Sequence, residues 1–368
     1  MEYLLQQGPV AFIVALATLI FFHELGHYLV ARACGVSVEV FSIGFGKEIF
    51  GWNDRRGTRW KVSLFPLGGY VKMYGDSNAA SAPIGLPHDV PPEERAKAFW
   101  AKPVAVRSAV VAAGPIANFL LAFVLLTGLY VTAGQPYAPP VIQEILPDSA
   151  AAKANLATGE RIVAIDGQAV NSFEEIQRIV RQSPDIELTF TIRGIDDQDR
   201  SVIITPAVKE VVDTFGKVHR TGLLGVKSAA VETRVLSFPQ ALLEAVNRTW
   251  IMTGDILGGL WDIITGVRSF KEVGGPIQIY QVSGHFAAIG IASFVTFLAL
   301  MSINLGLINL FPIPALDGGH LLFYAAEALR GKPLPERIQE IGSMAGVATL
   351  AVLMGAATWN DILRLVQG

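Results

Sequence analysis

Four long runs of apolar residues divide the chain, and polar residues return at shorter intervals between them. The runs cover about residues 9–31, 104–131, 286–311 and 341–359. As an α-helix, a run of about 20 apolar residues is long enough to cross the hydrocarbon core of a bilayer. The pattern therefore predicts four membrane-spanning helices, which we assign to residues 1–32, 104–132, 286–320 and 338–360.

A fifth apolar stretch, residues 236–285, is interrupted by charge. Asp255 and Asp262 fall inside it, so it lacks the charge-free length of a membrane span. Several of its large apolar residues lie near one helical face: Val246, Trp250, Leu257, Leu260 and Ile264. We expect amphipathic helices on the membrane surface. The alternative is a core helix of a soluble domain.

The remaining segments show strand and turn patterns. Residues 138–210 alternate between short strands and turns, with Asp166-Gly167 as a hairpin turn and Ser172 with Glu175 as a capping box. They predict a small α+β module. Residues 33–74 contain short β-branched runs and many glycines, with few features of a long helix, which leaves a β region or ordinary cytoplasmic turns. Residues 75–103 are rich in Pro, Ala and charge and are expected to form a flexible cytoplasmic loop.

Composition narrows the chemistry. The chain is 51% hydrophobic and 17% charged, with 29 Lys+Arg against 32 Asp+Glu. This balance lacks the basic excess of a nucleic-acid-binding protein, so no nucleic-acid partner is expected. Cys34 is the single cysteine, which excludes an intrachain disulfide and any zinc site built on several thiolates. A metal must therefore be held mainly by His, Asp or Glu.

Positive charges in the loops predict the orientation in the membrane. Residues 32–107 carry 11 Lys+Arg and 7 acidic residues, whereas residues 134–290 carry 14 and 18 over twice the length. Lys and Arg concentrate in cytoplasmic loops. The loops after the first and third spans are thus expected in the cytoplasm, with the central module and both termini outside.

The first span contains the motif His23-Glu24-Leu25-Gly26-His27. Residues four apart share one helical face, so both imidazoles can bind one zinc ion beside a glutamate that accepts a proton from bound water. Catalytic zinc needs a third protein ligand. The segment 304–320, broken by prolines and glycines, supplies two candidates, Asp317 and His320. A helix cap for Asp317 and a structural role for His320 are the alternatives.

Four more segments extend this motif into a family pattern. The third span ends in Asn309-x-x-Pro312-x-Pro314-x-Leu316-Asp317-Gly318, and residues 44–46, 66–73 and 114–119 read GFG, PLGGYVKM and GPIANF. Over nearly its full length the chain resembles the site-2 proteases, and within them the bacterial RseP-type branch of intramembrane zinc metalloproteases. The resemblance implies one zinc ion per chain.

The resemblance also assigns roles to residues. It implies that His23, His27 and Asp317 bind zinc and that Glu24 is the general base. It supports Asn309 as a substrate contact. Asn304 is a second candidate amide for the substrate backbone or the oxyanion. Gly44, Phe45 and Gly46 are expected near the site, in a membrane-re-entrant β region.

The central module resembles a PDZ domain of bacterial envelope proteases. The match runs through Ser149-Ala150, Leu156, residues 159–162, residues 165–167 and Val170. Asn155 replaces the usual Gly, and Asn tolerates a left-handed backbone. The longer family members have two such modules, while this chain has room for one clear module. Peptide binding and a purely steric role both remain open for it.

By resemblance, the protein would reside in the bacterial inner membrane, with the active site toward the cytoplasm. It would cut single-span membrane proteins already trimmed outside, such as anti-sigma factors of an envelope stress response or remnant signal peptides. The PDZ-like module would then filter substrates by size or bind a peptide ligand. A non-catalytic PDZ scaffold is the main alternative. A metal transporter ranks last, because the first and third spans do not repeat each other.

Overall fold

The computed structural model describes residues 8–75, 91–212, 218–228, 232–270 and 273–367. In chain order, the helices and strands are α1 Gly8–Ala33, β1 Val38–Asn53, β2 Arg59–Met73, α2 Pro92–Arg95, a 3-10 turn Phe99–Ala101, α3 Val104–Thr132, β3 Gln135–Tyr137, β4 Ile142–Ile145, α4 Ala150–Lys153, β5 Arg161–Ile165, β6 Gln168–Ala169, α5 Phe173–Gln182, β7 Leu188–Arg193, β8 Asp199–Ile204, β9 Ala207–Val212, β10 Val218–Leu223, β11 Val226–Ser228, β12 Glu232–Arg234, α6 Phe238–Ile264, α7 Pro276–Ile289, α8 Ile291–Leu310, α9 Asp317–Arg330 and α10 Glu336–Gln367.

The chain forms two compact units. The first contains Met1–Leu129, Ala241–Gly258 and Lys271–Gly368, and the second contains Tyr130–Gln240 and Gly259–Phe270. Among the described residues, four helices are long and apolar enough to cross a membrane: Gly8–Ala33, Val104–Thr132, Ile291–Leu310 and Arg337–Val366. The predicted fold class, a polytopic α-helical membrane protein with an inserted α+β module, is confirmed.

The third span begins later than its sequence pattern predicts. Gly290 adopts φ 140° and separates α7 from α8, so the helix starts at Ile291 and not at residue 286. A continuous apolar pattern does not reveal this break, because both helices are apolar.

The start of α7 is capped by Asp361 of α10, whose carboxylate accepts hydrogen bonds from the backbone N–H groups of Gly275 and Ile277 at 2.9 and 3.0 Å.

The predicted β region is a pair of long strands with several register shifts. Residues 40–43 of β1 pair both with residues 59–62 and with residues 69–72 of β2, while residues 48–53 pair with residues 59–63. A strand has two hydrogen-bonding edges, so the two partners of residues 40–43 must lie on opposite sides. Among the described residues, 69–73 have no second partner, which leaves an open sheet edge there.

A non-helical segment, residues 311–316, joins α8 to α9. Pro312 and Pro314 cannot continue a helix, and Ala315 adopts φ 94°, a backbone region that residues with a Cβ rarely occupy. Gly318, the second residue of α9, is closely packed against the backbone, since a Cβ there would lie 2.3 Å from the Leu310 carbonyl oxygen. The segment therefore turns sharply at the first residue of α9, Asp317.

The second unit contains the predicted α+β module. Its four-stranded sheet has the order β6-β5-β7-β8, and β11 pairs with β4. The core packs α4 and α5 against this framework, with Ile162, Phe190 and Ile192 fully buried. The Ser172 hydroxyl accepts a hydrogen bond from the Glu175 N–H at 3.3 Å, which caps α5 as the sequence predicts.

Two details of the module differ from or refine the prediction. The framework continues past residue 210, because β11 (Val226–Ser228) pairs with β4 far back in the chain. Sequence reading missed this strand since three residues carry too little alternation to identify it. Asn155 adopts φ 51°, the left-handed conformation that is expected at this position from the sequence.

Candidate active site

The two histidines of α1 face each other across one helical turn. The Nε2 atoms of His23 and His27 lie 3.2 Å apart, and the rings meet edge to face with centroids 4.8 Å apart. Their spacing of four residues places both on one helical face. The predicted pair of imidazoles therefore converges on one point.

Asp317 completes a triangle with these imidazoles. Its Oδ2 lies 3.3 Å from Nε2 of His23 and 3.5 Å from Nε2 of His27. Within the described residues, this oxygen is buried and accepts no hydrogen bond. The site thus brings together three atoms that can each offer a lone pair to a metal. One of them is a buried carboxylate oxygen that accepts no hydrogen bond from the described residues.

The triangle fits a zinc ion. Zinc bonds to His nitrogen and carboxylate oxygen are about 2.0–2.2 Å long, and in a tetrahedral shell they separate the ligand atoms by about 3.3–3.5 Å. The observed separations of 3.2, 3.3 and 3.5 Å match that geometry. His23, His27 and Asp317 are also the group of described residues that could hold a metal ion. Three ligands leave a fourth position for water, as in catalytic zinc sites.

Helix α3 packs against the two histidines. Nδ1 of His27 donates to the Val110 carbonyl oxygen at 2.8 Å, which leaves Nε2 with a lone pair for metal. A Cβ at Gly114 would lie 2.2 Å from Nε2 of His27, so only glycine fits there. Asn118 lies 3.1 Å from Nδ1 of His23. Sequence reasoning noted residues 114–119 as a family match and assigned no role to Asn118.

A cavity of about 250 Å³ opens at this triangle. Glu24 lines it and is only 8% exposed. It shares α1 with the two histidines, between them in sequence. A Cβ at Gly69 would approach the Glu24 Cγ to 3.0 Å, so β2 passes directly beside this glutamate. The candidate base thus faces the cavity that holds the candidate metal ligands.

The cavity wall includes some of the predicted substrate residues and leaves others out. Asn309 lines it, and its amide donates to the Leu305 carbonyl oxygen at 3.0 Å. Asn304 is not among the lining residues. The two amides are five residues apart, which places them about 140° apart around α8. The helix therefore cannot direct both into the same cavity.

Gly44, Phe45 and Gly46 are also absent from the cavity wall. The two glycines adopt φ 86° and 87° where β1 bends, and the Phe45 ring stacks on Tyr70 with centroids 6.0 Å apart. They lie next to the segment that includes Gly69, Tyr70, Val71 and Met73, and these four residues do line the cavity. The triplet shapes the strand that borders the site and does not itself border it.

His320 and Tyr324 of α9 line the cavity as well. Helical spacing explains both, because His320 and Tyr324 follow Asp317 by about one and two turns. His320 is outside the triangle of candidate ligands. Of the two candidates for the third ligand, the geometry favours Asp317.

The fold and this constellation define a class of protein, an intramembrane metalloprotease. The comparisons with known proteins agree. The sequence profile of peptidase family M50 matches residues 11–353. The chain belongs to this family, the site-2 proteases.

Related proteins match over almost their whole length. A candidate zinc metalloprotease of Agrobacterium fabrum is 41% identical over 363 residues, 97% of this chain and 96% of that protein. One from Rhizobium meliloti is 41% identical over 366 residues, 97% of each. The regulator of sigma-E protease RseP of Salmonella typhimurium is 36% identical over 451 aligned positions, which cover 96% of this chain and 98% of RseP. That alignment is longer than the chain, so RseP contains segments that this protein lacks.

Among solved structures, the PDZ domain of an SdrC-like protein from Listeria monocytogenes is similar to 25% of this chain, with 19% identity and a TM-score of 0.20. The enzyme class predicted from the sequence, a zinc metalloprotease of the site-2 type, is confirmed by the family and by the relatives.

Proposed function

We propose that the protein hydrolyses peptide bonds within or beside the transmembrane segment of single-span membrane proteins that another protease has already shortened outside the membrane. The observation that carries this proposal is the meeting of Asp317 with His23 and His27, which lie in a helix apolar enough to span a bilayer, with Glu24 on the same helix as the two histidines. Ionisable groups at membrane depth are costly and mark functional sites.

The proposed centre contains one zinc ion per chain, held by His23, His27 and Asp317. A bound zinc ion lowers the pKa of a water molecule and polarises a carbonyl group. Glu24 is the general base, which accepts the proton of the attacking water and passes it to the leaving amine. Its burial beside the ligands keeps bulk water from competing for that proton.

Two elements of the cavity wall suit an extended substrate. A helical substrate hides its peptide bonds in its own hydrogen bonds, so a local unwinding must precede attack. The open edge at residues 69–73 borders the cavity and can pair with an unwound segment by strand addition. The amide of Asn309 is the proposed polar contact to the substrate backbone.

The substrate class rests on the family relation. One relative is named a regulator of sigma-E protease, which supports anti-sigma factors and, more broadly, regulated proteolysis in an envelope stress response. Remnant signal peptides share the required single-span geometry. In this proposal the PDZ-like module acts as a size filter or binds a peptide ligand, and it admits only trimmed substrates.

The protein is a bacterial inner-membrane protein, and its sidedness is part of the proposal. The positive charges at residues 32–107 favour a cytoplasmic location for the β1–β2 strands and the active site. The second unit then lies outside the cytoplasm. The partners are the lipid bilayer and single-span substrates.

Cleavage of a tagged single-span substrate by the purified protein in detergent tests the proposal. Wild type is compared with Glu24→Gln, and bound zinc is measured in both. We expect about one zinc per chain in each protein and at least a 100-fold slower cleavage in the variant, because general-base catalysis is typically worth about 10²–10⁴-fold. Glu93→Gln, at an exposed glutamate, is the matched control and should cut like wild type.

Two results would contradict the proposal. If neither protein binds metal, the ligand set is wrong. If both bind zinc and neither cuts a series of pre-trimmed substrates, the non-catalytic PDZ scaffold is favoured. A substrate that keeps its folded extracytoplasmic domain should be cut more slowly than its trimmed form if the module filters by size.

A further inference from the structure

One face of α3 forms the back wall of the candidate zinc site. Val110, Gly114 and Asn118 follow one another at intervals of four residues, which places them in one row along the helix. The Val110 carbonyl contacts His27, and Gly114 makes room for both imidazoles. Asn118 is the third member of this row and is fully buried.

The two histidines have different outer partners. When Nε2 of a neutral imidazole binds a metal, Nδ1 carries the proton and needs an acceptor. His27 has the Val110 carbonyl oxygen at 2.8 Å. His23 has the side-chain amide of Asn118, whose Nδ2 lies 3.1 Å from Nδ1.

The amide of Asn118 has two faces with opposite hydrogen-bonding character. With the nitrogen toward His23, it donates to Nδ1, which places the ring proton on Nε2 and prevents that atom from binding metal. In this orientation the Asn118 Oδ1 is also buried with no donor among the described residues. The amide oxygen and nitrogen are nearly the same size, so their positions follow from the hydrogen-bond network.

A half-turn of the amide reverses this assignment. Oδ1 then accepts the Nδ1 proton of His23, and the unpaired carbonyl oxygen gains a partner. Nε2 of His23 then carries a lone pair, which points into the triangle formed with His27 and Asp317. The amide orientation therefore decides which nitrogen of His23 is the ligand.

The backbone at Asn118 is held in place from a second helix. The Ser302 hydroxyl of α8 donates to the Asn118 carbonyl oxygen at 2.7 Å, and both residues are fully buried. This bond fixes α3 against the helix that leads to Asp317. The backbone of Asn118, whose side chain contacts His23, is therefore itself held in place by a hydrogen bond.

We propose that Asn118 is a positioning residue of the zinc site, which orients His23 and selects its metal-binding tautomer by accepting the Nδ1 proton. The inference rests on the proposed function, since it concerns the outer contacts of the same metal centre. Asn118 acts through His23 and touches neither the substrate nor the reacting atoms.

Zinc affinity of the purified full-length protein tests the proposal, measured by competition with a chelator of known affinity. Asn118→Leu removes the acceptor at similar volume and should weaken zinc binding about 10- to 100-fold, the usual effect of losing an outer contact of a ligand histidine. Asn118→Asp keeps an oxygen toward Nδ1 and should bind zinc within about threefold of wild type. The absorption spectrum of the cobalt-substituted protein should change in Asn118→Leu and be retained in Asn118→Asp.

A matched control lies on the same helix. Thr127 is buried, and its hydroxyl donates to the Phe123 carbonyl oxygen within α3. Thr127→Val removes a buried polar group of α3 away from the site and should leave zinc affinity unchanged. Thermal unfolding of each variant shows whether it is folded.

The outcomes separate this inference from the proposed function. If wild type binds no zinc, the proposed function itself fails. If wild type binds zinc and folded Asn118→Leu binds it within twofold, Asn118 has no positioning role. If Asn118→Leu does not fold, Asn118→Asp decides: tight binding supports the acceptor role, and a loss of 10-fold or more contradicts it.

Discussion

Asp54 shows how a single side chain holds the β strands beside the active-site helix. Its carboxylate accepts hydrogen bonds from the Tyr28 hydroxyl of α1 at 3.0 Å and from the Trp60 indole at 3.2 Å. The backbone N–H groups of Arg56 and Thr58 add bonds of 2.8 and 2.9 Å. Burial disfavours the ionised form of Asp54, but these hydrogen bonds outweigh it and hold the pKa of Asp54 below its usual value.

We expect Asp54→Asn to lower the free energy of unfolding by about 1 kcal/mol at pH 7, because it weakens hydrogen bonds to a charged acceptor. The folded-state pKa is depressed, so the contribution is fully present above the unfolded pKa of about 3.9 and is lost as pH falls through the folded value. The difference in thermal midpoint between wild type and variant should therefore shrink below about pH 4. A difference that stays constant from pH 7 to pH 3 would contradict this assignment.

At the scale of elements, α10 packs against the non-helical segment that delivers Asp317. A Cβ at Gly346 would lie 1.3 Å from the Pro314 carbonyl oxygen, and a Cβ at Gly342 would lie 2.9 Å from the Phe323 ring. An ion pair between Arg107 of α3 and Glu327 of α9, with an N–O distance of 2.6 Å, holds the far side of α9. The position of Asp317 thus depends on contacts from both α3 and α10.

Gly346→Ala should disturb the metal site from outside the cavity. The added Cβ cannot coexist with the Pro314 carbonyl at its present position, so α10 or the segment 311–316 must shift. We expect zinc affinity and cleavage to fall at least tenfold, because a misplacement of about 1 Å is costly at such a site. Gly355→Ala on the same helix, where nothing lies within 4 Å of the new Cβ, is the matched control. Equal zinc affinity in the two variants would refute the argument.

At the scale of the whole molecule, the two compact units differ in what they contain. The second unit has a hydrophobic core between its sheet and α5, with Ile176 and Phe190 buried. The first unit contains all three candidate zinc ligands and the cavity. The proposed topology has the β1–β2 strands on the cytoplasmic side and the second unit outside the cytoplasm, and the single cysteine makes this proposal testable.

In a Cys34→Ser background, single cysteines at two exposed positions report the sidedness. Ile195→Cys lies on the second unit, where Ile195 is 80% exposed, and should react with a membrane-impermeant maleimide in intact spheroplasts. Arg56→Cys lies at the exposed tip between β1 and β2 and should react only after the membrane is permeabilised. The reverse labelling pattern would show that the charge-based orientation is wrong.

Short stretches of sequence were sufficient to predict the features that depend only on neighbouring residues. The spans, the HExxH pair and the cap at Ser172 follow from periodicity and short-range hydrogen bonds, and the structure has each of them. The assignment of Asn304 illustrates the limit. The sequence offers it as a second candidate amide for the substrate backbone or the oxyanion, yet helical geometry turns Asn304 and Asn309 to different sides of α8.

The sequence by itself determined the class of protein, because two motifs far apart in the chain match the site-2 protease pattern and four apolar runs are long enough to cross a membrane. Only the tertiary structure decided that Asp317 meets the histidines at 3.3 and 3.5 Å, that residues 69–73 form an open edge beside the cavity, and that Asn118 contacts His23. These relations join residues tens to hundreds of positions apart. They depend on how closely backbones approach at Gly69, Gly114 and Gly346, and no local pattern along the chain encodes that distance.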